Sequence, residues 1–343
     1  MLDCRARGFI SYAHMPNVVL ANQRQFVADP SVSLLDAARA QGITLEYSCR
    51  TGRCGICKAP VLSGETVVLR AEDEGLTKDE GSRGIVLTCC RAAASDLVLD
   101  IEPLDRLADI TIKTIPARIV SLERLSRDIV RVLLKTPPAS PLRFVPGQYV
   151  DVIAQDVRRS YSLANAPRAD GLLELIVRRY PGGVLSGYWF ERAQPNDLLR
   201  IEGPFGTFFL RDAPPTHIVF LATGTGIAPV KALLEELATD PVRAGRHRLS
   251  VFWGNRASES FCWDPVALGL DIGMHHLLSG EDIGWGGTRG YVQEAAARRG
   301  LDPDDTVVYA CGSSAMIASA RDTMLALGLP ARRFFSDAFV SSN

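Results

Sequence analysis

The chain has 343 residues, of which 47% are hydrophobic and 22% are charged, and its formal net charge is -1. This length allows two or three domains, and the near-zero charge gives no basic excess to bind nucleic acid or an anionic membrane surface. No apolar run is long enough to span a bilayer. The start of the chain lacks the apolar stretch of a secretory signal, so we expect a cytoplasmic protein.

The segment from about residue 17 to residue 102 has the pattern of a small sheet with one good helix. Ser33-Leu-Leu-Asp36 resembles a capping box, because the Ser33 side chain can accept from an orphan backbone N–H and Asp36 suits the first turn. Gly42 suits the left-handed turn that ends a helix. The sequence therefore predicts a helix that begins after Ser33 and ends before Gly42.

Five of the eight cysteines fall in two tight groups. Cys49, Cys54 and Cys57 have the spacing Cys-x4-Cys-x2-Cys, which is typical of plant-type 2Fe–2S clusters. A cytosolic chain keeps its thiols reduced, so such a group indicates metal ligation rather than disulfides. Three thiolates on one loop need a fourth from elsewhere, and Cys89 and Cys90 are the two candidates.

A structural zinc site is the alternative, because a CxxC sequence with another cysteine pair also fits tetrahedral thiolate ligation. The four-residue gap before the CxxC pair and the glycines Gly52 and Gly55 are not features of a zinc ribbon. Those glycines allow the sharp backbone turns that bring amides toward cluster sulfurs. The pattern favours a 2Fe–2S cluster over zinc.

The residues after the second cysteine group resemble plant-type ferredoxins. In that family a Leu-x-Cys sequence is followed by Ser-Asp six residues after the cysteine, and here Ser95-Asp96 stands in that relation to Cys89. The resemblance selects Cys89 as the fourth ligand. It leaves Cys90 as a packed thiol.

The stretch 112–212 contains many short β-like runs separated by Pro and Gly, which predicts a barrel. By itself, Arg159-Ser-Tyr161-Ser162 is a weak match and fits an ordinary strand with a charged edge. Its neighbours in order are Pro146-Gly-Gln-Tyr149, Pro181-Gly-Gly-Val-Leu-Ser186 and Gly203-Pro-Phe-Gly206. This order resembles the ferredoxin–NADP reductase superfamily, whose barrel binds flavin.

The resemblance gives these residues flavin-binding roles, and their chemistry agrees with it. A diphosphate needs a guanidinium and backbone donors, which Arg159 and the turn Gly182-Gly183-Val-Leu-Ser186 supply. The isoalloxazine needs an aromatic wall, which Tyr161 offers. Ser162 offers a hydroxyl to the flavin N5, which makes it a predicted catalytic residue.

After residue 213 the pattern changes to strand–helix alternation, which predicts an α/β nucleotide-binding layout. Thr223-Gly224-Thr-Gly226 follows a buried strand and opens a helix, the context in which a Gly-x-Gly turn binds a diphosphate. The third glycine of the common dinucleotide fingerprint is absent, and Pro229 stands nearby. In the resembled superfamily Gly-x-Gly-x-x-Pro is the usual form.

The rest of the nicotinamide site rests on the same resemblance. The second strand ends in Trp-Gly-Asn-Arg256, without the acidic residue that grips a ribose in an ordinary Rossmann domain. Relatives with this sequence use NADH, so we expect NADH, with NADPH left open because Arg256 can bind a 2′-phosphate. Family members place Cys311-Gly312 beside the reactive carbon and a C-terminal aromatic, here Phe339, against the flavin. Core packing is the alternative for Cys311 and Phe339.

The predicted fold is therefore multidomain, α+β and α/β. It comprises a β-grasp plant-type ferredoxin domain at 1–102, a linker at 103–111, a FAD-binding β-barrel at 112–212 and a Rossmann-like nicotinamide-binding domain at 213–343. The resemblance implies that electrons pass from NADH to FAD, then to the 2Fe–2S cluster, and finally to a separate protein.

Within that class, the Arg-Arg-Ser-Tyr-Ser-Leu-Ala-Asn, Trp-Gly-Asn-Arg and Ser-Asp-Ala-Phe sequences are most similar to CDP-6-deoxyglucoseen reductases of deoxysugar biosynthesis. Reductase components of bacterial aromatic and ring-hydroxylating oxygenases share the architecture and remain the alternative. The partner is then a dehydratase or an oxygenase component, with no role for nucleic acid or membrane. A zinc-stabilised binding module without redox function is the third hypothesis.

Overall fold

The computed structural model describes residues 15–72, 74–211, 216–280 and 284–339. The predicted boundary between residues 212 and 213 lies outside these ranges. The chain forms two compact units: the first comprises residues up to 108 other than 47–49, and the second comprises residues 47–49 and those from 109 onward. Within the described ranges, no helix combines the length and the apolar character that a membrane crossing requires.

The first unit is a small mixed β-sheet with two helices. Its strands are β1 (Asn17–Leu20), β2 (Gln25–Val27), β3 (Lys58–Ser63), β4 (Thr66–Val68), β5 (Ile85–Leu87), β6 (Arg91–Ala93) and β7 (Leu97–Leu99), and its helices are α1 (Leu34–Ala40) and α2 (Lys78–Ser82). The main sheet has the order β2-β1-β7-β3-β5, and β4 pairs with β6 in a separate ribbon. β1 runs parallel to β7, and the other pairs are antiparallel.

The predicted N-terminal helix is confirmed, together with its caps. The Ser33 Oγ accepts from the Asp36 N–H at 3.1 Å, and Asp36 pairs with Arg39 at 2.7 Å. Gly42 follows the helix with φ +74°, the left-handed conformation that favours glycine. The buried face of α1 packs into the core of the sheet. It includes Leu34, Leu35 and Ala38.

The second unit begins with a curled antiparallel sheet. Its elements are β8 (Lys113–Arg124), β9 (Ile129–Lys135), β10 (Tyr149–Ala154), β11 (Val157–Ser162), β12 (Leu172–Arg178), α3 (Val184–Glu191) and β13 (Leu198–Phe205). The order is β11-β10-β13-β8-β9-β12, and a bridge between Leu163 and Leu175 joins the two ends of the sheet. This arrangement confirms the barrel that the Pro- and Gly-punctuated strands predict.

The rest of the second unit is a parallel sheet flanked by helices. Its elements are β14 (His217–Thr223), α4 (Ile227–Ala238), α5 (Pro241–Ala244), β15 (Arg248–Asn255), β16 (Ile272–Leu278), β17 (Thr288–Arg289), α6 (Val292–Ala297), β18 (Thr306–Ser313), α7 (Ser314–Ala326) and β19 (Phe334–Phe339). The order β17-β16-β15-β14-β18-β19 reverses between β14 and β18. Ligands of such sheets bind outside the carboxyl ends of the strands at this switch point.

One buried apolar cluster contains residues of both sheets of the second unit, among them Ile129 and Ile176 of the barrel and Phe220, Trp253 and Tyr309 of the parallel sheet. The two sheets therefore share a core, which limits movement of one against the other. In the predicted linker, residues 105–107 form a single 3-10 turn.

Candidate cofactor sites

The loop that carries the cysteines of the first unit is shaped by glycines. Gly52 and Gly55 have φ of +80° and +69°. A Cβ on Gly52 would lie 2.7 Å from the Cys90 Sγ, and one on Gly55 would lie 2.7 Å from the Gly75 carbonyl oxygen. Both distances are too short for real atoms, so the loop passes its neighbours at a separation that only glycine permits.

Two of the predicted ligands meet inside this unit. The Sγ atoms of Cys57 and Cys89 lie 3.3 Å apart, and both residues are buried. The neighbouring Cys89 thiol and burial raise the pKa of Cys57, and Cys54 adds to the effect. Metal binding removes such thiol protons. A buried thiol pair on a glycine-shaped loop fits thiolate ligation of an iron–sulfur cluster.

Cys90 lies beside the thiol pair of Cys57 and Cys89. Its Sγ is 3.6 Å from the Cys89 Sγ and 3.6 Å from the Ala71 carbonyl oxygen, and burial raises its pKa to about 12. Cys49 and Cys54 are half-buried, and Cys49 falls among residues 47–49 of the second unit. Among the described residues, no three His, Cys, Asp or Glu side chains form a metal-binding group.

On the barrel, the predicted flavin residues lie along β11. The Tyr161 hydroxyl accepts from the Trp189 Nε1 at 3.1 Å, and burial raises the pKa of Tyr161 to about 12. The Arg159 guanidinium donates to the Arg158 carbonyl oxygen at 2.8 Å. Arg158 also forms an ion pair with the buried Asp151 at 3.1 Å. The phenol is thus kept neutral, and β11 is held by ionic contacts to β10.

The Gly182-Gly183 turn opens helix α3. Gly182 has φ +73°, and Gly183 is the N-cap residue of the helix. The Ser186 Oγ accepts from the Tyr180 N–H and donates to the Gly183 carbonyl oxygen, both at 3.2 Å. No side chain caps this helix, so its first backbone N–H groups can bind an anion. Ser186 therefore shapes the turn, and the backbone supplies the donors for a diphosphate.

The second glycine turn lies at the switch point of the parallel sheet. Gly224–Gly226 form a 3-10 turn that leads into α4. A Cβ on Gly226 would collide with the Cys311 carbonyl oxygen, and a Cβ on Gly312 would collide with the Thr223 Oγ1. The ends of β14 and β18 thus approach so closely that only glycine fits. All of these residues were predicted to bind the nicotinamide nucleotide, and the fold brings them together.

Two further side chains, Trp253 and Arg178, lie at this turn. The Trp253 Nε1 donates to the Gly224 carbonyl oxygen at 2.8 Å. Arg178, the last residue of β12, lies beside Gly224 and donates to the Asn255 Oδ1 at 3.4 Å. The signal for Arg178 was an arginine at a strand end before a glycine turn. Arg256, which sequence reasoning selected, is exposed directly after β15.

Ser162 and Cys311, two of the predicted site residues, lie near Asp337. The Ser162 Oγ donates to the Asp337 Oδ2 at 3.4 Å, and the Ser48 Oγ, within the same unit, donates to the Oδ1 at 2.6 Å. Burial raises the pKa of Asp337 to about 6. Cys311 is opposite Asp337 in the parallel pairing of β18 and β19, and its thiol is fully buried. Phe339 is half-buried against the apolar core.

The chain is similar to known proteins over most of its length. Three family models match the chain: "2Fe-2S iron-sulfur cluster binding domain" over residues 18–94, "Oxidoreductase FAD-binding domain" over residues 116–210 and "Oxidoreductase NAD-binding domain" over residues 220–322. The CDP-6-deoxy-L-threo-D-glycero-4-hexulose-3-dehydrase reductase of Yersinia pestis is 42% identical over 92% of this chain and 96% of its own length. The chain belongs to the iron–sulfur flavoprotein reductases.

Two further proteins are also similar to this chain. The xylene/toluene monooxygenase electron transfer component of Pseudomonas putida is 33% identical over 92% of this chain and 91% of its own length. The crystal structure of an Amycolatopsis cytochrome P450 reductase superposes with a TM-score of 0.74 and 26% identity, covering 96% of this chain and all of that one. The relatives are electron-transfer components, and this chain is an oxidoreductase with domains for a 2Fe–2S cluster, FAD and a nicotinamide nucleotide.

The chemistry of an iron–sulfur flavoprotein reductase divides between cofactors and protein. When bound, the cofactors supply hydride acceptance and single-electron transfer. The protein supplies two turns with backbone donors, the Ser162 hydroxyl and the buried carboxyl of Asp337, whose pKa burial raises to about 6. The apolar core behind Cys311 excludes water from this side of the site.

Proposed function

We propose that the chain is an NADH-dependent reductase that delivers electrons through FAD and a 2Fe–2S cluster to a sugar-nucleotide dehydrase. The observation that carries this proposal is the 42% identity with the dehydrase reductase from Yersinia pestis over 322 residues, against 33% over 326 residues for the xylene/toluene monooxygenase component. The reductase component of an aromatic oxygenase is the second candidate, supported by that second relative.

The experiment separates these acceptors. The chain, reduced anaerobically with NADH, is mixed in a stopped-flow instrument with a CDP-6-deoxy-hexulose dehydrase and its sugar nucleotide, or with a xylene/toluene monooxygenase hydroxylase. We expect reoxidation to be at least tenfold faster with the dehydrase. Faster reoxidation by the hydroxylase would overturn the proposal in favour of the second candidate.

The cluster assignment is part of the proposal. Cys49, Cys54, Cys57 and Cys89 hold the 2Fe–2S cluster, and Cys90 does not. The 3.3 Å separation of Cys57 and Cys89 supports the choice of Cys89. Cys89→Ser should remove the visible iron–sulfur absorbance while the flavin remains bound, and Cys90→Ser is the matched control. Loss of the bands in Cys90→Ser alone would contradict the assignment.

The flavin and nucleotide assignments complete the proposal. FAD lies against Arg159, Tyr161 and Ser162 with its diphosphate at the Gly182-Gly183 turn, and NADH lies at the switch point with Arg256 near its ribose. Cys311 and Phe339 face the nicotinamide and the flavin. Chromatography of acid-released flavin tests FAD, and a kcat/KM for NADPH equal to that for NADH would refute the nucleotide preference.

The domain limits and the location are proposals as well. We propose domains at 1–102, 112–212 and 213–343 joined by a linker at 103–111, which is supported by family-model matches that fall inside each domain. We also propose a cytoplasmic location, because a thiolate-ligated cluster needs thiols that stay reduced. Fractionation of cells that express the chain would test it.

A further inference from the structure

A buried lysine joins the nucleotide-binding helix to the barrel. Lys231 lies in the second turn of α4 and is 8% exposed to solvent. Its Nζ donates to the Ala164 carbonyl oxygen at 2.9 Å, to the Glu174 Oε2 at 3.0 Å and to the Glu235 Oε1 at 2.6 Å. An ammonium has three N–H donors, so all of them are used. A buried ammonium whose three donors are all hydrogen-bonded is held in a single position.

The same helix makes a second contact with the same barrel segment. The Glu235 Oε2 accepts from the Ala166 N–H at 2.9 Å, so α4 binds both ends of the short segment 164–166. β12 holds this segment from the other side, because the Ala164 N–H donates to the Glu174 carbonyl oxygen at 2.8 Å. The segment 164–166, α4 and β12 therefore form one network of charge-assisted hydrogen bonds.

The position of this network relates it to the reaction. Ala164 is two residues after Ser162, the predicted partner of the flavin N5, and Lys231 is five residues after Gly226 in the nucleotide turn. A side chain that fixes Ala164 against α4 thereby fixes the predicted flavin contact against the predicted nicotinamide site. Hydride transfer is sensitive to such placement, since an error of about 1 Å can lower a rate about 100-fold.

We propose that Lys231 and Glu235 are positioning residues that set the distance between the nicotinamide and the flavin. The inference rests on the NADH-to-FAD half of the proposed function and not on the identity of the final acceptor. Removing one partner of a buried ion network also destabilises a protein, so the test has to separate placement from folding.

The experiment measures flavin reduction by NADH in stopped flow with the full chain. Lys231→Met keeps the aliphatic length and removes the ammonium, and we expect at least a tenfold lower limiting rate of reduction with less than a threefold change in the NADH Kd. Glu235→Ala leaves Lys231 paired with Glu174, so it should fold, and we expect a fall of at least threefold. Arg298→Met is the matched control, because it removes the cation of an exposed ion pair with Glu294, and its rate should equal the wild-type rate.

A second measurement does not depend on turnover. Hydrogen exchange of the peptide 163–167 in flavin-free protein should quicken at least fivefold in Glu235→Ala and stay unchanged in Arg298→Met. If Glu235→Ala reduces its flavin at the wild-type rate, the inference is wrong, whatever its thermal stability. A wild-type chain whose flavin NADH does not reduce would instead refute the proposed function.

Discussion

The two glycine turns of the second unit have the same predicted task, to hold a diphosphate, yet they are packed in opposite ways. Gly182 has φ +73°, and nothing lies within 4 Å of an added Cβ. Gly226 has an ordinary helical φ of -60°, but an added Cβ would collide with the backbone of β18. The flavin-side glycine is therefore needed for its conformation, whereas the nucleotide-side glycine is needed for the space it leaves.

This difference shows that one residue type can meet two separate physical requirements. A side chain that tolerates the left-handed conformation can replace Gly182, and Asn is the usual one. No side chain can replace Gly226, because the obstacle is a carbonyl oxygen in a central strand rather than a flexible neighbour. Substitutions at the two turns should consequently differ in size and in which cofactor they affect.

Gly226→Ala should have the largest effect. The methyl group must move β18 or α4, so we expect a loss of about 3 kcal/mol of stability. The displaced turn should also raise the NADH Kd roughly 100-fold, which is about 2.7 kcal/mol of binding free energy. Isothermal titration and thermal unfolding measure both quantities. Gly187→Ala, at a helical glycine where an added Cβ meets only the Glu191 side chain at 3.9 Å, is the control: it should leave the NADH Kd unchanged and should not lower the stability. A Gly226→Ala variant with normal NADH binding would remove the distinction between the turns.

Trp253→Phe should have the next largest effect. It removes the N–H that binds the Gly224 carbonyl oxygen at 2.8 Å and leaves a small cavity in the core. Together these changes should cost about 2 kcal/mol. The KM for NADH should rise about fivefold with the FAD content unchanged, because the bond holds only the nucleotide turn. Loss of FAD with an unchanged KM would mean that the two turns are not independent.

Gly182→Ala should be milder. An alanine at φ +73° costs about 1 kcal/mol, and the open space adds no collision. We therefore expect the FAD Kd to rise about fivefold, measured by fluorescence titration of the flavin-free chain. Gly182→Asn should be closer to wild type, and Gly171→Ala, with a similar φ of +68° elsewhere in the barrel, controls for stability alone. Equal effects of Ala and Asn would argue against a conformational requirement.

A fall in pH should destabilise the nucleotide turn but not the flavin turn, and we expect this to be the smallest of the differences. His217 begins β14; its Nδ1 accepts from the Arg248 Nη2 at 2.7 Å, and burial lowers its pKa from 6.5 to about 4. The unfolded chain therefore binds a proton between pH 6.5 and pH 4 that the folded chain does not, so stability falls as the pH falls through this window.

The measurement compares wild type with His217→Gln from pH 7 to pH 4.5. The Tm of the variant should fall less steeply with decreasing pH than that of the wild type. The difference should be a few degrees, because 1 kcal/mol of stability corresponds to about 3 °C. As the pH falls, the protection factors for hydrogen exchange should decrease at residues 217–226 of the wild type but not at residues 180–186. Parallel Tm curves for the two proteins would show that the imidazole does not carry the effect.

Local sequence patterns predicted most of the fold. The Ser33 cap, the strands of the barrel and the strand–turn–helix at Gly224–Gly226 depend on neighbours in the chain, so the pattern indicates them directly. The thiol pair of Cys57 and Cys89 followed from spacing and resemblance. Turn residues and capping residues carry their own signals, because their conformations are restricted.

The parts that the sequence did not predict depend on long-range contacts. Lys231 reads as a polar residue on a helix with Glu235 four residues later, and the barrel adds the Ala164 carbonyl oxygen and the Glu174 carboxylate as acceptors. Trp253 binds the nucleotide turn from another strand, and Arg178 lies beside the same turn although it is far away in the chain. Burial against a distant element has no signature in a single sequence, so these contacts require the structure.

The short strand β17 has a consequence for how copies of the chain behave in solution. It ends the parallel sheet with only Thr288 and Arg289, paired to Leu277 and Leu278 of β16. The outermost strand of a sheet offers unpaired backbone groups on which another chain can add a strand and begin aggregation. Two residues, one of them a cation, provide almost no template. β17 itself is therefore a poor template for intermolecular strand addition at high concentration, although it covers only the end of β16 at Leu277 and Leu278.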